Sequence, residues 1–401
     1  MLVHRSRLLR KIFADNWEDF VKLYGPKIRT GIFKNVDKML KCQTDKMGYH
    51  EYRCPTCNKE KKVFHTCKSR FCPTCGIKQT ELWITQYSTL FANCEYQHLT
   101  FSPPHEYDIY FQVLRKPFFN ALYTAARLTL EDWYTYKGYL PGGMSIEHTF
   151  GRDCKWHVHL HMLITCGGLN KDKTKWITCQ YIPHQFLKDH FKKHFLREVK
   201  LLWATLKPEY TSSLRFLSSP SYQKRILREK VDKTWYVDIR ERVKDPKKVV
   251  RYIGRYAKRP AIAESRITSY DGKMVTFTFK ERRMTKPATM TLPVFEFMQR
   301  VIIHIPDTHF RVVRYFGFYA NRTRGKVLPK AFAILKQDYE EAKNTLAHLG
   351  SWWREEVIRA TKLDPLLCSV CLIPLECITV VYYTQTAAVT LTYSQAGREP
   401  P

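Results

Sequence analysis

From Trp156 to Met162 the chain alternates without a fault: His157, His159 and His161 are separated by Val158 and Leu160, with Met162 and Ile164 continuing the apolar set. A period of two belongs to a β-strand, whose successive side chains point to opposite faces. One face is then a row of imidazoles, and the other requires a hydrophobic core. A lone strand histidine is usually an ordinary core or surface residue, whereas imidazoles two residues apart can reach a common ion. Gly151-Arg152-Asp153 reads as a turn between this strand, Lys155 to Thr165, and another over Gly143 to Phe150, so the two should pair as a hairpin. The partner strand offers Glu147 and His148 as a further ligand. Only one can face the imidazole row, and His148 is preferred. Histidines with at most one carboxylate leave positions open for phosphate oxygens and admit Mn²⁺ more readily than Mg²⁺. Such an ion would polarise and orient a phosphoryl group.

The rest of the chain supplies the frame. Helical periodicity runs through residues 1 to 48, broken at Gly25-Pro26, and a cysteine-dense module at 49 to 78 is followed by a linking helix over 79 to 95. From Tyr96 strands and helices interleave without regular βαβ spacing. Strands are expected at Tyr96 to Phe101, Thr234 to Arg240, Met274 to Phe279 and Phe310 to Phe318. Helices are expected at Val113 to Tyr136, His184 to Leu206, Pro220 to Lys230, Pro246 to Lys258 and Val294 to His304. This points to an α+β fold on a central antiparallel sheet flanked by helices, spanning 96 to 330. The extension, 331 to 401, holds one expected helix (Phe332 to Leu349) and the Thr- and Val-rich stretch Cys377 to Tyr393, which reads as strands.

Lysine and arginine total 67 against 37 acidic residues in 401, a formal charge of +30, which suits a long polyanion such as a nucleic acid. No stretch reaches eighteen uncharged apolar residues, and the basic N-terminus lacks the apolar run of a signal peptide, so no membrane partner is expected. The thirteen cysteines are clustered. Six lie between Cys42 and Cys75, as expected of metal sites in a reducing, cytoplasmic setting. Cys54-x-x-Cys57 and Cys72-x-x-Cys75 are the arrangement by which two turns present four thiolates to one structural Zn²⁺, although Cys67 or His65 could replace a member. Lys68 and Arg70 beside them are candidate phosphate contacts. Cys368-x-x-Cys371 with Cys377 shows no fourth ligand and is a weaker metal candidate.

Asp245-Pro246 starts a helix in which Tyr252 and Tyr256, four apart, lie on one face. With Val249 and Ile253 they also form the apolar stripe of a core-facing helix. Context favours chemistry: Lys247, Lys248, Arg251, Arg255, Lys258 and Arg259 surround the phenols, and cations favour a phenolate whose ordinary pKa near 10 is too high for use at neutral pH. Arg251, Arg255, Lys258 and Arg259 are candidate DNA contacts.

Together these segments resemble the HUH endonuclease superfamily and, within it, the two-tyrosine rolling-circle transposases of bacterial insertion sequences. The resemblance is carried by the cysteine module ending Ser69-Arg70-Phe71-Cys72-Pro73-Thr74-Cys75, by His148-Thr149-Phe150-Gly151-Arg152 and by His157-x-His159-x-His161. Arg251-Tyr252-Ile253-Gly254-Arg255-Tyr256 and Arg314-Tyr315-Phe316-Gly317 complete it. It covers roughly residues 40 to 330. It implies that His159 and His161 are the HUH pair, with His157 an outer neighbour, holding catalytic Mg²⁺ or Mn²⁺, and that Tyr252 and Tyr256 are nucleophiles. It also implies cleavage of single-stranded DNA at hairpin-bearing element ends, with a 5′-phosphotyrosine link, a free 3′-hydroxyl and no ATP, in a bacterial cytoplasm near the nucleoid. A replication initiator or relaxase shares this chemistry, and a non-catalytic zinc-containing nucleic-acid binder is the reading from another class.

Overall fold

Helices α1 (Leu8–Tyr24) and α2 (Thr30–Lys41) follow the apolar periodicity of the first forty residues. Leu9, Ile12, Phe13 and Phe20 are buried along one face of α1, and Ile32, Val36 and Met39 along one face of α2. The structure, a computed structural model, describes residues 8–179, 181–205, 215–229, 235–245, 248, 250–254, 260–280, 285–348, 354, 358, 363–383 and 388–392. The cysteine-dense segment forms a hairpin, β1 (Tyr49–Arg53) with β2 (Glu60–Phe64), and then α3 (Pro73–Leu90), which begins with Pro at its first position.

The next elements are β3 (Tyr96–Ser102), α4 (Asp108–Val113), α5 (Arg115–Lys137), β4 (Tyr139–Phe150), β5 (Trp156–Asn170), β6 (Trp176–Thr178), α6 (His184–Thr205), α7 (Pro220–Glu229) and β7 (Tyr236–Val243). After them come β8 (Ile267–Tyr270), β9 (Met274–Phe279), β10 (Ala288–Pro293), α8 (Val294–Ile302) and β11 (Val313–Gly317). The central sheet has the order β11-β4-β5-β3-β7, with β6 paired to the end of β5. Every pair in it is antiparallel, and β4 and β5 form the expected hairpin.

Alternation along β5 divides this sheet between two cores. Val158, Leu160, Met162 and Ile164 face α4, α5 and α6 with Leu99, Phe101, Phe118, Phe191 and Phe195. On the other face Leu163, Met144, Ile146 and Tyr96 pack with Trp83 and Ile84 of α3 and with Val250 and Ile253. Each fully buried side chain of this size contributes about 1.5–3 kcal/mol, so a one-residue slip of β5, which would exchange its two faces, is strongly disfavoured. Gly317 ends β11 at φ 61, where a Cβ would stand 1.7 Å from the Pro141 carbonyl oxygen. Only glycine fits this close approach of the end of β11 to the start of β4, its antiparallel neighbour.

The sheet β10-β9-β8 packs with α1, α2 and α8, and the core between them takes in Cys42, Cys72 and Cys75. Two helices, α9 (Arg324–Ile334) and α10 (Tyr339–His348), replace the single helix expected over 332 to 349. The interruption has local causes: Lys336 is left-handed at φ 59, and the Asp338 carboxylate accepts the Glu341 N–H at 3.0 Å as a new N-terminal cap. Finally β12 (Glu376–Tyr383) and β13 (Ala388–Thr392) join the first hairpin in a sheet of order β13-β12-β1-β2. Among the described residues no helix is long and apolar enough to cross a membrane.

Candidate active site and metal centres

The hairpin register sets His148 directly opposite His159, so the two imidazoles share a face with His161. One nitrogen of each of these three side chains lies within 4.8 Å of the others. His148 Nδ1 and His159 Nε2 are 2.9 Å apart, close to the separation of about 3.0 Å expected of adjacent ligands bound at about 2.1 Å to one octahedral ion. His159 Nδ1 lies 3.0 Å from the His157 carbonyl oxygen and donates to it, which leaves Nε2 with its lone pair for a ligand. Burial pushes all three imidazoles down, His159 to about 3, and neighbouring imidazoles add to the effect, His157 and His98 in the case of His159. They are therefore neutral at physiological pH, as metal ligands must be. Glu147 points to the opposite side, where its buried carboxylate meets Arg314 at 3.1 Å. Burial raises it to about 8 against the opposing pull of Arg314 and Arg115. His157 is exposed at the edge of the row.

The helical residues 250–254 lie over the same sheet face. Gly254 allows close packing against α3, since a Cβ there would meet Ile84 at 2.7 Å. Tyr252 is half-buried, and its ring stands edge-on to His98 with centroids 5.3 Å apart. His98 Nε2 in turn lies 2.9 Å from His161 Nδ1. His98 is thus the outer partner that fixes the orientation of His161. Arg240 interacts electrostatically with Tyr252, and its charge also lowers His98 and His161. Neither His98 nor Arg240 was singled out from the sequence, although Tyr96, His98 and Thr100 alternate with Leu99 and Phe101 just as the β5 histidines do. Arg251 is exposed on the outer side of the turn. Tyr256, Arg255, Lys258 and Arg259 lie outside the described residues.

Arg70 reaches the histidine site from the cysteine module. With Arg115, Glu147, His148, Thr149 and His304 it lines a small cavity beside the cluster, and burial lowers its guanidinium to about 10. Lys68, two residues earlier, is exposed with a left-handed backbone at φ 50.

The four cysteines expected to share one zinc do not come together. Cys72 and Cys75 join Cys42 and Cys67, while Cys54 and Cys57 join Cys368 and Cys371. The cause is the β1-β2 hairpin. Cys54 and Cys57 form its tip, and Cys42 and Cys67 flank its open end, so five residues of strand, about 16 Å, separate the two sets. In the first tetrad Cys42 Sγ lies 3.5 Å and Cys67 Sγ 3.6 Å from Cys75 Sγ. Three of its members are buried and Cys67 is half-buried, with the Cys67 N–H donating to Cys42 Sγ at 3.4 Å. His65 is not a member; it pairs with His50 at 2.9 Å. Cys377 sits within β12 with its sulfur near the Thr379 carbonyl, apart from either tetrad.

Comparison with known proteins identifies the family. Residues 142–326 match the family Y2_Tnp, described as "Putative transposase", and residues 12–103 match the "Transposase zinc-binding domain" Zn_Tnp_IS91. The "Transposase for insertion sequence element IS801" of Pseudomonas savastanoi pv. phaseolicola is 31% identical over 346 residues, covering 83% of this chain and 81% of that protein. The "Putative transposase y4qJ" of Sinorhizobium fredii (strain NBRC 101917 / NGR234) is 26% identical over 313 residues, covering 76% and 79% respectively. No solved structure matches. The chain belongs to this insertion-sequence transposase family, enzymes that cut and transfer DNA strands, and it carries the family's zinc-binding domain.

Proposed function

We propose that this transposase is a two-tyrosine HUH enzyme that nicks and rejoins single-stranded DNA at the ends of its element, by rolling-circle transposition. The observation that supports the reading is the run of contacts from the Tyr252 ring to the His98 ring, centroids 5.3 Å apart, and from His98 Nε2 to Nδ1 of His161, one of the three convergent imidazoles, at 2.9 Å. Tyr252 or Tyr256 attacks a DNA phosphate through its phenolate oxygen. The new O–P bond replaces the bond to the 3′-oxygen, which takes up a proton and leaves as a free hydroxyl, while the 5′-phosphate stays on tyrosine. Attack by a 3′-hydroxyl on that link reseals the DNA and returns the proton to the phenol. The bond energy is conserved in the phosphotyrosine, so no ATP is consumed, and the second tyrosine serves the second exchange.

His148, His159 and His161 would hold Mg²⁺ or Mn²⁺, which supplies Lewis-acid polarisation of the scissile phosphate when bound. Arg70, Lys68 and Arg251, with Arg255, Lys258 and Arg259, contact the DNA backbone, where cations position the strand. The substrate is hairpin-bearing element ends and target DNA, in the bacterial cytoplasm at the nucleoid. Cys42, Cys67, Cys72 and Cys75 hold one structural zinc. The test incubates the chain with labelled single-stranded element ends and Mn²⁺ or Mg²⁺, and scores a denaturant-stable protein–DNA adduct. The adduct should form with the native chain and vanish in a Tyr252→Phe, Tyr256→Phe double variant; an undiminished adduct in that variant would sink the assignment.

A further inference from the structure

The remaining tetrad draws two ligands from outside both matched segments, since Cys368 and Cys371 follow residue 326. We propose that Cys54, Cys57, Cys368 and Cys371 bind a second structural zinc, which clamps the C-terminal strands onto the zinc-binding domain. The four sulfurs lie within 4.8 Å of one another, and Cys57 Sγ is 3.6 Å from Cys368 Sγ. The edge of a zinc–thiolate tetrahedron with bonds of about 2.3 Å is about 3.8 Å. The 3.6 Å separation is too long for a disulfide, whose sulfurs stand about 2.05 Å apart.

The two Cys-x-x-Cys turns have the same backbone. In one, the Cys54 N–H donates to the Lys59 carbonyl at 3.0 Å and the Asn58 N–H returns to the Cys54 carbonyl at 3.0 Å. In the other, the Cys368 N–H donates to the Ile373 carbonyl at 2.9 Å and the Leu372 N–H to the Cys368 carbonyl at 3.0 Å. Asn58 and Leu372 occupy equivalent places, left-handed at φ 57 and φ 58. Asparagine tolerates that conformation; leucine holds it at a cost of about 1 kcal/mol, which the turn geometry must repay. The N–H groups of Val370 and Cys371 also point at Cys368 Sγ, at 3.4 and 3.5 Å, the outer-shell support a ligating thiolate uses.

Strand pairing delivers the turns to each other. Arg53 pairs with Glu376, so Cys54, just after β1, and Cys371, just before β12, emerge at the same end of the sheet. Lys59 Nζ reaches Ser369 Oγ at 3.0 Å and Lys61 Nζ the Pro365 carbonyl at 2.7 Å, placing two cations around a centre whose four thiolates outweigh the ion's charge. Either turn alone offers two sulfurs and cannot complete a zinc shell. Together they make a closed four-sulfur site of the structural kind, whose binding energy holds the tail in place.

Zinc stoichiometry tests this in the full chain, with His159→Ala and His161→Ala present so that the histidine site does not count. Two zinc ions per chain are expected, and one after adding Cys368→Ser and Cys371→Ser; an unchanged zinc content after that addition overturns the proposal. A second measurement needs no substitution and so does not depend on the variant folding. Cys57 is exposed, yet in the zinc-loaded native chain it and Cys371 should resist iodoacetamide, then react at least about tenfold faster after chelation, with Cys94 as the internal reference. Full alkylation of Cys57 and Cys371 in the zinc-loaded chain, or recovery of a Cys57–Cys368 disulfide, contradicts the site.

Discussion

The histidine cluster and the cysteine tetrads are built from similar donors at very different sequence distances. His148 and His159 are 11 residues apart and meet through a single hairpin register. Cys42, just after α2, and Cys75, in the first turn of α3, are 33 apart with the β1-β2 hairpin between them, and Cys57 and Cys368 are 311 apart and require the tail to return to the first strand. The difference matters for function as well as folding. A site on adjacent strands is preorganised by the sheet alone and can leave coordination positions open for a substrate phosphate. Sites closed by four sulfurs from distant segments hold the chain together instead.

That contrast predicts separable losses. In His159→Ala, His161→Ala, adduct formation should fall by at least about 10³-fold, as for loss of the main electrostatic element of a site, while thiolate-bound zinc and thermal stability change little. Cys72→Ser should do the reverse first, releasing the metal of its tetrad and lowering Tm, because Cys42, Cys72 and Cys75 belong to the core of α1, α2 and β9. Zinc analysis and calorimetry on the two variants check this, and a common loss in both would erase the distinction.

A smaller effect sharpens the comparison at its outer shell. His98→Ala removes the partner of His161 and the ring beside Tyr252, and should weaken divalent-metal affinity by about 10–100-fold in calorimetric titration. His98→Gln, which retains a hydrogen-bonding group, should recover part of it. Uniform behaviour of the two substitutions would mean that His98 acts by packing alone.

The smallest effect is on pH. Burial depresses the folded pKa values of His148, His159 and His161 below the unfolded value near 6.5, so below that pH the unfolded chain binds protons that the folded chain refuses. Stability from these groups is full above about pH 6.5 and is lost progressively as the pH falls towards the folded values. With the histidine site metal-free, the denaturation midpoint should drop between pH 7 and pH 5, and His148→Asn should drop less. An equal drop would remove the buried histidine from the explanation.

Much of this molecule could be read from its residues wherever the signal was local. The perfect alternation of β5 and the Gly151-Arg152-Asp153 turn specified a hairpin and its two faces and narrowed the partner-strand ligand to Glu147 or His148; the register, which sets His148 opposite His159, decides between them. The Thr- and Val-rich tail was legible as strands for the same reason. Cysteine pairing was not, because spacing reveals which sulfurs share a turn but not which turns share an ion. Charged residues in Glu60-Lys61-Lys62 concealed the strand that carries Cys54 and Cys57 away from Cys72 and Cys75. His98 was missed because alternation assigns a face within a strand, while the identity of the neighbouring strand, β5, depends on the sheet order.

The most direct test of the nuclease assignment is the identity of the residue that carries the DNA. After reaction with a single-stranded element end and Mn²⁺, protease and nuclease digestion followed by peptide sequencing in the mass spectrometer should recover nucleotide 5′-phosphate on Tyr252 or on Tyr256. Nucleotide attached to any other side chain would contradict a tyrosine nucleophile beside the histidine cluster.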